Sequence, residues 1–279
     1  MRKIRHYQDD AFSFHKKVVQ SKKEPVREVM AELEPDIAEA FDDYSARFAD
    51  SEYETILPIP MDDDQGDACR SLYSSKLKAF KELKTLLTTR DDNTRDLLCP
   101  YCTIDNIGSL DHYLPKEEFP EFSANPLNLL PCCPTCNSIK TGLWKINDER
   151  LFLNLYSDEL PDKQYLFVDL KIINSRPVVK FHLDNPYGIA QDMFDLVCRH
   201  YDKLHLCRRF EENADGILSE LELTIKSFVS ELQAEDIATL IIKRCAARKK
   251  KYGTNYWVAL LEEECCMNGN FFNYLLTRS

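Results

Sequence analysis

Two Cys-x2-Cys pairs, Cys99-Pro-Tyr-Cys102 and Cys133-Pro-Thr-Cys136, stand with 30 residues between them and constrain this chain more than any other feature. Each pair can present two thiolates from one tight turn, and two such turns complete a tetrahedral zinc site with Zn–S bonds of about 2.3 Å. Four thiolates close the coordination sphere to water, so the zinc is expected to be structural and any chemistry must come from other residues. Cys132 adjoins Cys133, but its spacing to Cys136 is wrong for the two-residue knuckle. Cys69, Cys198, Cys207, Cys245, Cys265 and Cys266 have no such pairing and read as small apolar residues.

At 279 residues the chain can bury a core without disulfide staples, so eleven cysteines point to metal ligation in a reducing, cytoplasmic setting. No apolar run reaches the roughly 18 residues of a membrane span, and the charged opening Met1 to Tyr7 lacks the apolar stretch of a signal peptide. The formal charge of −11 argues against coating nucleic acid over the whole surface. Its distribution matters more. Between Glu28 and Asp67 fourteen acids face one base, Arg47, a local net of −13 that leaves the remainder at +2. Basic residues gather at 2–27, 70–90 and 243–251, any of which could follow phosphates or simply be solvated helix faces. The acidic block 28–67 could bind a partner, mimic DNA to restrain the protein, or serve solubility.

Four regions are expected. Residues 1–98 read as helical: Pro25 to Phe48 has apolar residues at helical spacing with a break or kink at Pro35, Pro58 to Gly66 reads as a turn-rich connector, and 70–90 as a basic amphipathic helix. Residues 99–145 lack periodicity and should be ordered by metal. In 146–188, Tyr165 to Ile173 and Pro177 to Leu183 flank Asn174-Ser175-Arg176 as a hairpin that packs on the metal module. Residues 189–279 are helical, with breaks near Asp215-Gly216, Gly253 and Gly269. The fold class is therefore α+β and mostly α-helical, around a central zinc-bound module.

Between the cysteine pairs lie Asp111-His112-Tyr113-Leu114-Pro115-Lys116 and Asn125-Pro126-Leu127-Asn128, and Asn137-Ser138-Ile139-Lys140 follows the last cysteine. An adjacent Asp and His suit phosphodiester hydrolysis, because a carboxylate holds a hard divalent cation while an imidazole takes a proton from water near neutral pH. Residues 99–143 resemble the HNH endonucleases of the ββα-metal, treble-clef type. That resemblance implies Asp111 and Asn137 as ligands of one catalytic Mg²⁺ or Mn²⁺, His112 as general base and Asn128 as a brace for the loop that orients the base. It also implies Lys140, one helical turn beyond Asn137, facing a phosphate, with Lys116 as a second nucleic-acid contact. A glycine pair common in relatives is absent, and Lys116 to Ala124 carries Phe119, Pro120, Glu121 and Phe122 instead.

The wording Asp-His-Tyr-Leu-Pro-Lys, Phe-Pro-Glu-Phe-Ser and Asn-Leu-Leu-Pro-Cys-Cys-Pro-Thr-Cys-Asn-Ser-Ile-Lys is also similar to the PtuB-type HNH subunits of the Septu and retron anti-phage systems. This implies a cytoplasmic defence effector that cleaves DNA beside an ATPase partner. Two other readings stay open at the level of sequence: an inert zinc-stabilised module that binds a partner or nucleic acid, and a nuclease for RNA.

Overall fold

The computed structural model describes residues 1–277, which are about half helical with three small two-stranded sheets. The chain folds as two compact units, residues 3–160 and residues 161–279 together with Met1 and Arg2. Among the described residues no helix is long and apolar enough to cross a membrane.

The first unit opens with α1 (Ala11–Gln20), capped by Asp10 through the Ser13 amide at 2.6 Å. In α2 (Val26–Asp50), Met30, Leu33, Ile37, Ala40, Phe41 and Tyr44 form one buried stripe at helical spacing. Of the break or kink expected at Pro35, the break does not occur: α2 is continuous through it. Pro35 and Ala31 are exposed, so the carbonyl that loses its helical partner can be solvated, and the buried stripe carries the helix through. The acids of α2 point outward and form an exposed ridge.

A capping box between Asp62 and Gln65 starts α3 (Asp63–Leu72), which places a helix where a turn-rich connector is expected through Gly66. The expected basic helix over 70–90 is divided: α3 ends at Leu72, Tyr73 to Leu77 is extended or turning, and α4 (Lys78–Thr88) follows. Ser74 supplies the local turn, accepting the Leu77 amide at its carbonyl.

Strand β1 (Ser109–His112) pairs antiparallel with β2 (Leu129–Cys132), setting Asp111 opposite Leu130 and His112 opposite Leu129. The short helix α5 (Pro134–Lys140) begins at Cys133, whose sulfur accepts the Cys136 amide at 3.3 Å. Two-residue strands β3 (Lys145–Ile146) and β4 (Glu149–Arg150) follow, with Asn147 and Asp148 both at positive φ in the connecting turn. The N-terminal helices and the metal module thus share one unit, without a boundary at 98–99. Packing of α3 against the 3-10 turn Pro120–Ala124 helps to join them.

In the second unit β5 (Leu166–Ile173) and β6 (Arg176–Leu183) form the expected hairpin. Its loop is the two residues Asn174 and Ser175, both at positive φ, one residue shorter than the sequence suggests. The hairpin folds with the C-terminal helices: β6 packs on α7 (Leu206–Phe228) and β5 on α9 (Trp257–Met267), so the expected region 146–188 divides between the two units. The remaining helices are α6 (Gln191–Lys203), α8 (Ala234–Tyr252) and α10 (Gly269–Thr277). Helix α7 runs unbroken through Gly216 because Phe210, Ala214, Leu218, Leu221 and Ile225 keep a continuous buried face. Gly253 does end α8, at φ +101°, where any Cβ would meet the Met1 carbonyl oxygen at 2.0 Å.

Candidate metal centre and active site

Cys99, Cys102, Cys133 and Cys136 converge, all buried, with their sulfurs within 4.8 Å of one another. The Cys102 and Cys133 sulfurs lie 3.8 Å apart, matching the edge of about 3.8 Å that a tetrahedron with arms of roughly 2.3 Å requires. Four buried thiols cannot all ionise without a cation among them, and a zinc ion meets that need. Cys132 stays outside the cluster, beside the Ser109 hydroxyl at 3.3 Å.

Strand β1, between the two cysteine pairs, carries Asp111 and His112. Asp111 is buried, with Tyr101 donating to Oδ2 at 3.1 Å and the Lys140 ammonium on Oδ1 at 3.3 Å. Tyr101 comes from inside the first cysteine knuckle, so the zinc turn also positions a hydroxyl on the carboxylate. Burial raises the Asp111 carboxyl above its usual pKa despite the Lys140 charge.

His112 is half-buried, and its Nε2 lies 3.0 Å from the Ser123 carbonyl. A carbonyl only accepts, so Nε2 carries the proton and Nδ1 keeps its lone pair. Burial lowers the imidazole pKa to about 4, which leaves the ring neutral at pH 7. The Tyr73 ring meets His112 edge to face at 4.6 Å between centroids.

Asn128 is fully buried and acts on the chain just beyond His112. Its Oδ1 accepts the Leu114 amide at 2.8 Å and the Tyr44 hydroxyl at 3.2 Å, and its Nδ2 donates to the Leu114 carbonyl at 2.9 Å. Tyr113, between them, donates its hydroxyl to the Phe152 carbonyl at 2.9 Å and receives Arg150 at 3.2 Å. Arg150 also holds Asp158 at 2.9 Å and Glu54, from the acidic block, at 2.9 Å. This network ties the turn at Glu54 and β4 to the chain just beyond His112.

Lys140 corrects one expectation. Its side chain is 0% exposed, and its ammonium donates to the His112 carbonyl at 2.7 Å, the Tyr113 carbonyl at 3.0 Å and Asp111. All three donors of the ammonium are engaged, so it has none left for a phosphate. It is a strut between α5 and β1. Asn137 lies one turn ahead of it on α5, half-buried and without a side-chain hydrogen bond among the described residues. Lys116 is partly exposed and pairs only loosely with Glu117 at 3.9 Å.

Ser123, Tyr101 and Tyr73 are the site residues that the sequence does not single out. Ser123 contributes a backbone carbonyl, which no residue type marks. The position of Tyr101 between two zinc-type cysteines is a usable signal.

No family model matches the chain, and no solved structure matches it. It is 28% identical over 134 residues to "Protein ea31" of Escherichia phage lambda, a match covering 47% of this chain and 45% of that protein. The chain thus aligns with less than half the length of that relative.

Proposed function

We propose that the chain is an HNH-type endonuclease, of the ββα-metal class, that hydrolyses phosphodiester bonds of DNA. One observation carries this reading: the His112 imidazole is only partly covered, and the Ser123 carbonyl at Nε2 fixes the tautomer that leaves Nδ1 basic. It sits next to Asp111 on a hairpin leading into a helix that starts from the second cysteine knuckle.

In this mechanism His112 Nδ1 takes a proton from water, and the hydroxide attacks phosphorus opposite the 3′ oxygen. The bond from phosphorus to that oxygen breaks, leaving a 5′ phosphate and a 3′ hydroxyl once the oxygen is protonated by solvent. The strut from Lys140 and the brace from Asn128 hold the backbone at His112 and two residues beyond it, which limits the loss of orientation that catalysis cannot tolerate. Asp111 and Asn137 offer the hard oxygen donors that suit Mg²⁺ or Mn²⁺. Each Asp111 oxygen accepts one bond, from Tyr101 or from Lys140, and an ionised carboxylate oxygen has lone-pair capacity beyond one partner. Such an ion would neutralise charge on the phosphate and on the leaving oxygen.

The loop wording shared with PtuB-type subunits supports extending the proposal to an anti-phage effector that works in the cytoplasm with an ATPase. A second reading, the inert zinc-stabilised module, draws on the occupation of both Asp111 oxygens by Tyr101 and Lys140. Incubating zinc-loaded protein with supercoiled plasmid, with and without Mg²⁺ or Mn²⁺, separates them. Metal-dependent nicking supports the nuclease; an intact plasmid under all conditions supports the inert module. A parallel RNA substrate decides which nucleic acid is cut.

A further inference from the structure

The cation expected to meet substrate phosphate, Lys140, is consumed in the interior, so the charge that holds nucleic acid must come from elsewhere. Resting on the nuclease reading, we infer that Lys76, Lys78 and Lys81, on α4 and the turn before it, form the track that binds the backbone of duplex DNA beside His112.

Position is the first argument. Tyr73, a few residues before α4, lies against the His112 ring and donates its hydroxyl to the Leu110 carbonyl at 3.2 Å. Further along, the Lys84 ammonium donates to the Gly108 carbonyl at 3.1 Å, just ahead of β1. The segment from Tyr73 through α4 is therefore fastened near both ends of the strand that carries Asp111 and His112.

Charge is the second. Phe80, Leu83 and Leu87 face the core, whereas Lys78, Lys81 and Lys84 recur every third residue along an adjacent stripe. Lys76, Lys78 and Lys81 are exposed, and the one acid of the helix, Glu82, meets Lys78 at 3.5 Å. An exposed pair of that kind adds little and yields readily to a phosphate.

The chemistry of the face favours a duplex. Its aromatic ring, Phe80, is buried, so α4 offers ammonium groups and no stacking platform for unpaired bases. Backbone contacts of this kind are sequence-independent and release counterions, which makes them readable through salt. The exposed acids of α2 elsewhere in this unit would repel DNA and help confine it to the lysine face.

The test measures binding of a short labelled DNA duplex to full-length His112→Ala protein, without added divalent metal, over a range of salt. The comparison is the same protein carrying Lys76→Gln, Lys78→Gln and Lys81→Gln together. Each lost phosphate contact lowers the slope of log K against log salt by about 0.9, so the triple variant should lose roughly 2 to 3 from the slope. Affinity at low salt should fall on the order of 10- to 100-fold. Lys250→Gln with Lys251→Gln, in the other unit, should leave both unchanged. Zinc content and circular dichroism confirm that the variants fold. A wild-type slope in the triple variant, no duplex binding by the unsubstituted lysine face, or retention of an RNA duplex in preference to DNA would each overturn the inference. Because the readout is binding without cleavage, a failed plasmid assay removes the nuclease reading and leaves this result to stand or fall separately.

Discussion

The side-chain amide of Asn128 pairs with both backbone groups of Leu114, accepting its N–H at 2.8 Å and donating to its carbonyl at 2.9 Å. One side chain thereby does what a neighbouring strand would do, two residues beyond His112. Asn128→Asp keeps the acceptor but turns a carboxylate oxygen toward the Leu114 carbonyl. Leaving that buried acceptor unpaired costs about 1–3 kcal/mol, before any charge penalty. Urea unfolding should show at least that loss, and plasmid nicking should slow with it.

Lys140→Met is expected to lower stability by roughly 3–5 kcal/mol, because the buried Asp111 carboxylate loses its counter-charge. Combining it with Asp111→Asn should recover part of that loss, which denaturant melts of the single and double variants can measure. The salt slope for DNA binding should not move. A lysine that touched phosphate would change the slope and spare the stability.

One zinc ion per chain is expected, held by four sulfurs. Cys102→Ser should release it and destabilise the first unit around β1 and β2, which the two knuckles flank. Cys132→Ser should retain a full equivalent, because that sulfur sits outside the cluster. Metal analysis of purified variants distinguishes the two.

Glu121 lies in the 3-10 turn that presents the Ser123 carbonyl to His112, fully buried, with one oxygen on the Ile59 amide at 3.1 Å and the other without a hydrogen-bond partner among the described residues. Burial raises its pKa from 4.5 to about 7. The folded state therefore binds the proton more tightly than the unfolded state. The contribution is complete below pH 4.5 and is lost as pH rises through about 7. Glu121→Gln should remove this slope, and above pH 7 it should be more stable than the parent by roughly 3 kcal/mol at most. Thermal melts across pH 4 to 8 give the comparison; parallel curves would contradict it.

What could be read from sequence follows the range of the interactions. The two Cys-x2-Cys knuckles fix their own geometry within four residues, and they came together as their spacing requires. The apolar stripe of α2 was legible, but the effect of Pro35 was not, because it depends on whether the freed carbonyl meets water. Asn128 stands out in the sequence only through the family resemblance, and its two bonds to Leu114 are a contact fourteen residues back in the chain that local pattern does not encode. Lys140 departs from its expected place for a physical reason: helical spacing gives its position on α5, but a long side chain can turn to solvent or reach inward to the carbonyls of His112 and Tyr113. The Ser123 carbonyl, a backbone group from a loop eleven residues away, had no sequence signal.

The most direct test of the nuclease account compares plasmid cleavage by the zinc-loaded protein and by His112→Ala, each with Mg²⁺ or Mn²⁺ and with the metal omitted. The account predicts metal-dependent nicking that falls about 10²- to 10⁴-fold in the variant, with its fold and zinc content intact. Equal nicking by both proteins would contradict the role given to His112.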